Sequence, residues 1–269
     1  MPSGIAAQVR YALVIAVGSL VLVSCAASTP TGLPTTSDVA GVCKTITTAE
    51  EMITPSDVSP AVACTGPHVY ETYAVTTVPA AISGLVERPE PELLQASAAN
   101  VCPLAPIRPY LGAGPMDSQW GVTVWTKFPT RPEWSAHVRA VACDLVVDAP
   151  RPDDVPLVSF PLNDVMAYTD SGRVRLCRTG SPFVNVTCNV PHAGEKTGAV
   201  TIATGLSPSA TQAAAQHACD TQTRDYTEQP NTPGFRSDFV LGPGGSTECW
   251  LSSTGAPVTG TERGGLVPR

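Results

Sequence analysis

Charge is scarce in this chain and so are aromatic rings. Charged residues make up 14% of the 269 residues and aromatics 6%. Lysine occurs three times against thirteen arginines, and 23 carboxylates outnumber 16 basic residues for a net charge of −7. No lysine–arginine cluster exists; Arg173, Arg175 and Arg178 form the densest basic group and are expected to flank a strand edge. This balance excludes charge-driven binding to nucleic acid or to anionic lipid. With few aromatics, the core must rest on Val, Leu, Ala and cross-links. Catalytic signatures are missing as well. There is no G-x-S-x-G, and Gly242-Pro243-Gly244-Gly245-Ser246 lacks the P-loop lysine and reads as a hairpin turn. No C-x2-C pair occurs, which weighs against a zinc site. The chain is therefore not expected to be an enzyme, and no cofactor or metal is expected.

What is present begins with a targeting segment. Arg10 is the single charge in residues 1–10, and Tyr11 to Val23 is apolar except for Gly18 and Ser19. That run of about thirteen residues falls short of the roughly twenty that a spanning helix needs, and it fits the h-region of a secretory signal peptide. It ends in Leu22-Val23-Ser24-Cys25, which resembles a bacterial lipobox. Residues 1–24 are read as signal peptide and Cys25 as the acylated first residue of the mature chain, with enough acyl chains for stable anchoring. The Ser/Thr/Pro/Ala-rich stretch that follows, within residues 25–40, reads as a tether.

Setting Cys25 aside leaves eight cysteines in two sets of four: Cys43, Cys64, Cys102, Cys143, then Cys177, Cys188, Cys219, Cys249. Outside the cytoplasm an even set reads as disulfides. Four cysteines allow three pairings per set; first-with-second and third-with-fourth is favoured, because the first two lie on consecutive expected strands. A second repetition reinforces this division. Cys64-Thr65-Gly66-Pro67-His68-Val69-Tyr70-Glu71 returns as Cys188-Asn189-Val190-Pro191-His192-Ala193-Gly194-Glu195, and both read C-x-x-P-H-x-x-E. A duplicated, disulfide-braced unit follows, with a first repeat at 41–148, a linker at 149–157, a second repeat at 158–255 and a tail at 256–269. The tail ends in Leu266-Val267-Pro268-Arg269, which resembles a thrombin cleavage sequence and is set aside from function.

The two repeats have parallel layouts. In the first, strands are expected at Cys43–Thr47, His68–Val78, Trp120–Trp125 and Val138–Val147, with a helix over Pro89–Cys102 that turns Leu93, Leu94, Ala98 and Val101 inward. Pro103 to Pro115 is expected as loop and Pro132-Glu133-Trp134 as a turn. In the second, strands are expected at Arg173–Cys177, Lys196–Thr204, Phe235–Leu241 and Glu248–Ser252. A helix is expected over Ser207–Cys219, with Ser207 as N-cap and Pro208 at the first helical position. The fold class is α+β: two small disulfide-stabilised modules, each an antiparallel sheet covered by one helix.

His68 with Glu71, and His192 with Glu195, are the standard pieces of metal and acid–base sites. On a strand, however, positions i and i+3 point to opposite faces. The structural reading is that Pro67 and Pro191 set a turn and each imidazole bonds to loop backbone. His137 and His217 have no counterparts in the other repeat.

These cysteine-centred pieces resemble the septum formation domain family of actinobacterial extracytoplasmic proteins. The matching residues are Val62-Ala63-Cys64, Pro67-His68, Glu71, Cys102, Glu133-Trp134 and Val141-Ala142-Cys143. In the second half they are Val186-Thr187-Cys188, Pro191-His192, Glu195, Cys219 and Cys249, without a clear Trp before the last cysteine. The resemblance covers most of residues 41–252 and implies a link to cell division, with no known reaction and no catalytic residues. The function expected is that of a lipid-anchored, extracytoplasmic lipoprotein acting as a non-enzymatic binding or scaffold component. Its partner would be an envelope protein or cell-wall polymer, with membrane contact through the lipid anchor and no nucleic acid. The alternatives are a small-ligand or metal-binding lipoprotein using His68 and His192, and an accessory subunit of another membrane complex.

Overall fold

A computed structural model describes residues 40–46, 51, 54–56, 59–118, 120–147 and 157–268. The signal peptide, Cys25, nearly all of the tether and all of the linker except Leu157 lie outside the described residues. Among the described residues no helix is long and apolar enough to cross a membrane.

Two five-stranded antiparallel sheets carry the fold. The first contains β1 (Cys43–Lys44), β2 (Ala61–Val62), β3 (Tyr70–Thr77), β4 (Val122–Lys127) and β5 (Ala140–Val147), in the order β2-β1-β3-β5-β4. The second contains β6 (Leu176–Arg178), β7 (Asn185–Thr187), β8 (Gly194–Thr201), β9 (Phe235–Leu241) and β10 (Ser246–Ser253), in the order β7-β6-β8-β10-β9. The two orders are the same sequence of moves. Four disulfides sit at matching places: Cys43–Cys64, Cys102–Cys143, Cys177–Cys188 and Cys219–Cys249. In each half the first cysteine of the set bonds the second, and the third bonds the fourth.

β5 is buried along nearly its whole length because both of its faces are covered. Its odd-numbered side chains Cys143, Leu145 and Val147 pack with Tyr73, Leu111, Leu162 and Met166, while Val141 packs with Leu94, Phe128 and Trp134. Val146, on the opposite face by the two-residue period of a strand, meets Ile46, Val69 and Tyr70. The second half buries fewer large apolar side chains, chiefly Leu176, Ile202, Tyr226, Trp250 and Leu251.

The helical layer departs from expectation in the first half. Instead of one helix over Pro89–Cys102, the described residues include four short ones: α1 (Ala80–Ser83), α2 (Pro91–Ser97), α3 (Ile107–Tyr110) and α4 (Arg131–Ser135). α2 buries Leu94 and leaves Leu93 48% exposed, since one turn of so short a helix reaches the sheet. Ala98 and Val101 still pack on that core from beyond its end. The expected turn at Pro132 is α4, held by a full capping box between Thr130 and Glu133. In the second half α5 (Pro208–Thr227) starts where expected, with Ser207 Oγ accepting the Ala210 N–H, but runs eight residues past Cys219.

The halves are not separated by the boundaries read from the sequence. Val158 to Val174 packs into the core of the first sheet, so residues 158–174 do not belong to the second. Residues 258–267, read as part of the 256–269 tail, lie against α5 and the 165–173 turns. The Gly264 N–H donates to Tyr226 O at 3.0 Å, and the Thr169 N–H to Val267 O at 3.2 Å. The Trp120 N–H donates to Val174 O at 2.9 Å and the Leu176 N–H to Ser118 O at 3.2 Å, tying the first half's 112–120 loop to the start of β6. Arg175, expected to flank a strand edge, is 1% exposed and pairs with Asp117, while Arg263 Nε reaches the same carboxylate at 3.5 Å. A guanidinium removed from water needs such a partner. The described residues belong to one compact unit.

Candidate functional site

The repeated motif builds the same arrangement twice. Each proline brings its histidine in ahead of the long strand, and the histidine backbone forms an isolated antiparallel bridge rather than a ladder position: His68 with Val158, His192 with Val258. In both bridges the two N–H···O bonds are 2.9 Å long. His68 Nδ1 lies 2.8 Å from Gly66 O and His192 Nδ1 2.9 Å from Val190 O. A carbonyl oxygen can only accept, so Nδ1 carries the proton in each ring. Both imidazoles are essentially fully buried. The expected bond from histidine to loop backbone is what the structure has.

Each glutamate then fastens the segment that its histidine has bridged. Glu71 Oε2 accepts the Leu162 N–H at 2.7 Å, and Oε1 accepts the Asn163 N–H at 3.1 Å and the Tyr110 hydroxyl. Glu195 Oε2 accepts the Glu262 N–H at 2.7 Å, and Oε1 accepts the hydroxyls of Tyr226 and Thr261. Both carboxylates are 1% exposed. Histidine and glutamate thus clasp a returning strap four residues apart along it, 158 to 162 and 258 to 262. A tyrosine from the helical layer closes each clasp. Burial first, and then the adjacent Glu71, push the Tyr110 hydroxyl well above its ordinary range; burial and Glu195 do the same to Tyr226.

Residues expected on opposite faces come together. Ring nitrogen, carboxylate oxygen and sulfur of Cys43, His68 and Glu71 lie within 4.8 Å of one another, as do those of Cys177, Cys188, His192 and Glu195. The alternation argument fails because β3 and β8 begin at residues 70 and 194, so each histidine precedes the regular pleat. The sulfurs join because Cys43 pairs with Glu71, and Cys177 with Glu195, across neighbouring strands. Such a donor set has the ingredients of a metal site, but its chemistry is already used. The sulfurs are disulfide-bonded, so no thiolate is offered. The carboxylates are filled by N–H and O–H donors. What remains is Nε2 of His68 and of His192, each buried without a hydrogen-bond partner.

His137 and His217 stay outside both clasps. His137 sits after α4 at a left-handed φ of 64° and is exposed. His217 lies on the rim of a polar cleft of about 490 Å³ between α5 and β9, with Arg224, Asn231, Phe235 and Arg236. The sequence reading missed Tyr110, Tyr226, Leu162 and Thr261. A signal was there: Tyr110 follows Cys102 by eight residues and Tyr226 follows Cys219 by seven.

Comparison with family models places one match over residues 40–252, described as septum formation, and it takes in the first clasp and the His192 and Glu195 of the second, ending before the 258–262 strap. The chain belongs to the septum formation family. That membership points to a role in cell division or the cell envelope. Comparisons with curated proteins and with solved structures gave no match. In this family member, the motif residues that carried the resemblance at Pro67-His68, Glu71, Pro191-His192 and Glu195 form the two clasps.

Proposed function

We propose that this protein is a lipid-anchored, extracytoplasmic scaffold that binds an envelope protein or cell-wall polymer during division, and that it catalyses no reaction. The observation that carries this reading is the commitment of the motif. The side chains best suited to chemistry, His68, Glu71, His192 and Glu195, are spent holding two straps rather than lining an open cleft. Rigid sheets stapled by four disulfides suit a protein that presents surfaces outside the cytoplasm. The same strand order, disulfide positions and clasps in both halves support descent from a duplicated module. Septum formation as the family's description supports the division setting.

Co-purification in mild detergent from the native envelope, with partners identified by mass spectrometry, tests this. Division or wall-synthesis proteins are expected; enrichment of an unrelated membrane complex would make the protein an accessory subunit there. The anchor is tested separately. Cys25→Ala is expected to release the protein from membranes on fractionation, and retention would refute the lipobox reading.

One observation favours a second reading, a metal-binding lipoprotein: the unpartnered Nε2 atoms beside Glu71 and Glu195. It requires the carboxylates to give up backbone donors, which makes it the weaker of the two.

A further inference from the structure

We propose that the outer edge of β9 at Val240–Leu241 docks an extended, proline-bearing segment of a partner protein, laid on β9 as residues 54–56 lie on β4. This deepens the scaffold reading, on which the choice of a separate protein partner rests.

The two halves supply their own comparison. On the paired strands Cys143 stands opposite Thr126, and Cys249 opposite Phe239. Counting on from these disulfide cysteines makes Val240 the counterpart of Lys127, and Leu241 the counterpart of Phe128. In the first half this corner is covered by the chain itself. The Phe128 N–H donates to Pro55 O at 2.7 Å, and Ser56 bridges Phe128 in parallel. The Lys127 ammonium donates to Thr54 O at 2.7 Å and to Glu51 O at 3.1 Å. Phe128 is 1% exposed, with its ring in the core beside Leu94, Trp134 and Val141.

Among the described residues the second half has no such cover. The cysteines that bracket the first two strands are 21 residues apart in the first half and 11 in the second, so the connector is ten residues shorter. The residues lost are those that would have supplied the strap. Val240 and Leu241 are left 44% and 43% exposed. β9 pairs only with β10 among the described strands. Amides along an antiparallel strand face alternately toward and away from the partner. The Gly242 N–H points inward, donating to Ser246 O at 2.7 Å, so the Leu241 N–H points outward, as that of Phe128 does.

An aligned outward donor between two exposed apolar side chains is a template for strand addition. The occupant's chemistry is read from Thr54-Pro55-Ser56. It is extended, its proline presents a carbonyl and needs no acceptor for an N–H, and its side chains are small.

The test uses the mature chain and a synthetic peptide of residues 51–59. In an NMR titration, saturable shifts are expected at the amides of 239–242. Leu241→Pro removes the outward donor without touching the β10 ladder, a substitution that edge strands tolerate. It is expected to weaken binding roughly three- to tenfold. Val240→Lys restores the counterpart of Lys127 and is expected to tighten binding. Absence of saturable shifts, shifts mapping elsewhere, or a folded Leu241→Pro with unchanged affinity would overturn the site. If native co-purification then recovers envelope partners equally with wild type and Leu241→Pro, scaffolding stands and this edge is not where it occurs.

Discussion

Replacing Glu71 by Gln separates a clasp from a reactive site. The carboxylate receives two backbone N–H groups and the Tyr110 hydroxyl while fully buried. Gln keeps one acceptor oxygen and turns the other into an NH2, which must then face a donor. At least one charge-assisted bond is lost, worth roughly 1.5–3 kcal/mol, and a buried donor is left opposed to another, at roughly 1–3 kcal/mol more. Allowing for relaxation, Glu71→Gln is expected to cost roughly 2–4 kcal/mol, which lowers Tm by roughly 4–16 °C for a chain of this size. Urea unfolding with the disulfides intact reads the total. Hydrogen exchange at the Leu162 and Asn163 amides reads the cause, and both should lose protection ahead of the β5 core. A carboxylate kept for chemistry behaves in the opposite way, because removing it tends to relieve strain. Stability within about 0.5 kcal/mol of wild type, with Leu162 and Asn163 still protected, would refute the clasp.

Arg175→Met strips the main partner from Asp117 and should destabilise by about 3 kcal/mol, since Arg263 offsets only part of the loss; adding Asp117→Leu should recover much of it in a double-mutant cycle. Gly264→Ala drives a methyl into Thr227 O, and calorimetry should show a loss of roughly 1–3 kcal/mol with the 258–267 strap loosened first. Burial, followed by the charge of Glu195, raises the carboxyl pKa of Glu262 in the folded chain. The folded state then holds that proton more tightly than the unfolded one, so this group favours folding at low pH and loses that contribution as pH rises through its raised pKa. Glu262→Gln should therefore be more stable than wild type at neutral pH, with the gap closing below the ordinary carboxylate range in pH-dependent unfolding.

Much of the architecture was legible in the residues. The division of cysteines into two sets of four and the doubled C-x-x-P-H-x-x-E frame point to two related halves, and the sheets repeat one strand order. The strand expected at Phe235–Leu241 has the bounds of β9. The helical layer of the first half was harder to read. Pro91 and Pro106 mark the starts of α2 and α3, short pieces whose packing comes from tertiary contact rather than from a sustained apolar stripe. The clasps were half legible. The prolines and histidines implied a backbone-bonded turn, but the partners of Glu71 and Glu195 lie 91 and 67 residues away along the chain. No local period reports a bond of that kind. From the sequence the straps read as the start of the second repeat and as tail, because their role is to present N–H groups, and every residue except proline has one.

The most direct test of whether the doubled motif holds the fold or holds a ligand is the metal content of the natively purified, oxidised protein, measured alongside His68→Ala and His192→Ala. We expect no stoichiometric metal in any of the three, with the variants losing stability alone. A stoichiometric ion in the wild type that either substitution removes would contradict the clasp, and would make His68 Nε2 and His192 Nε2 ligands.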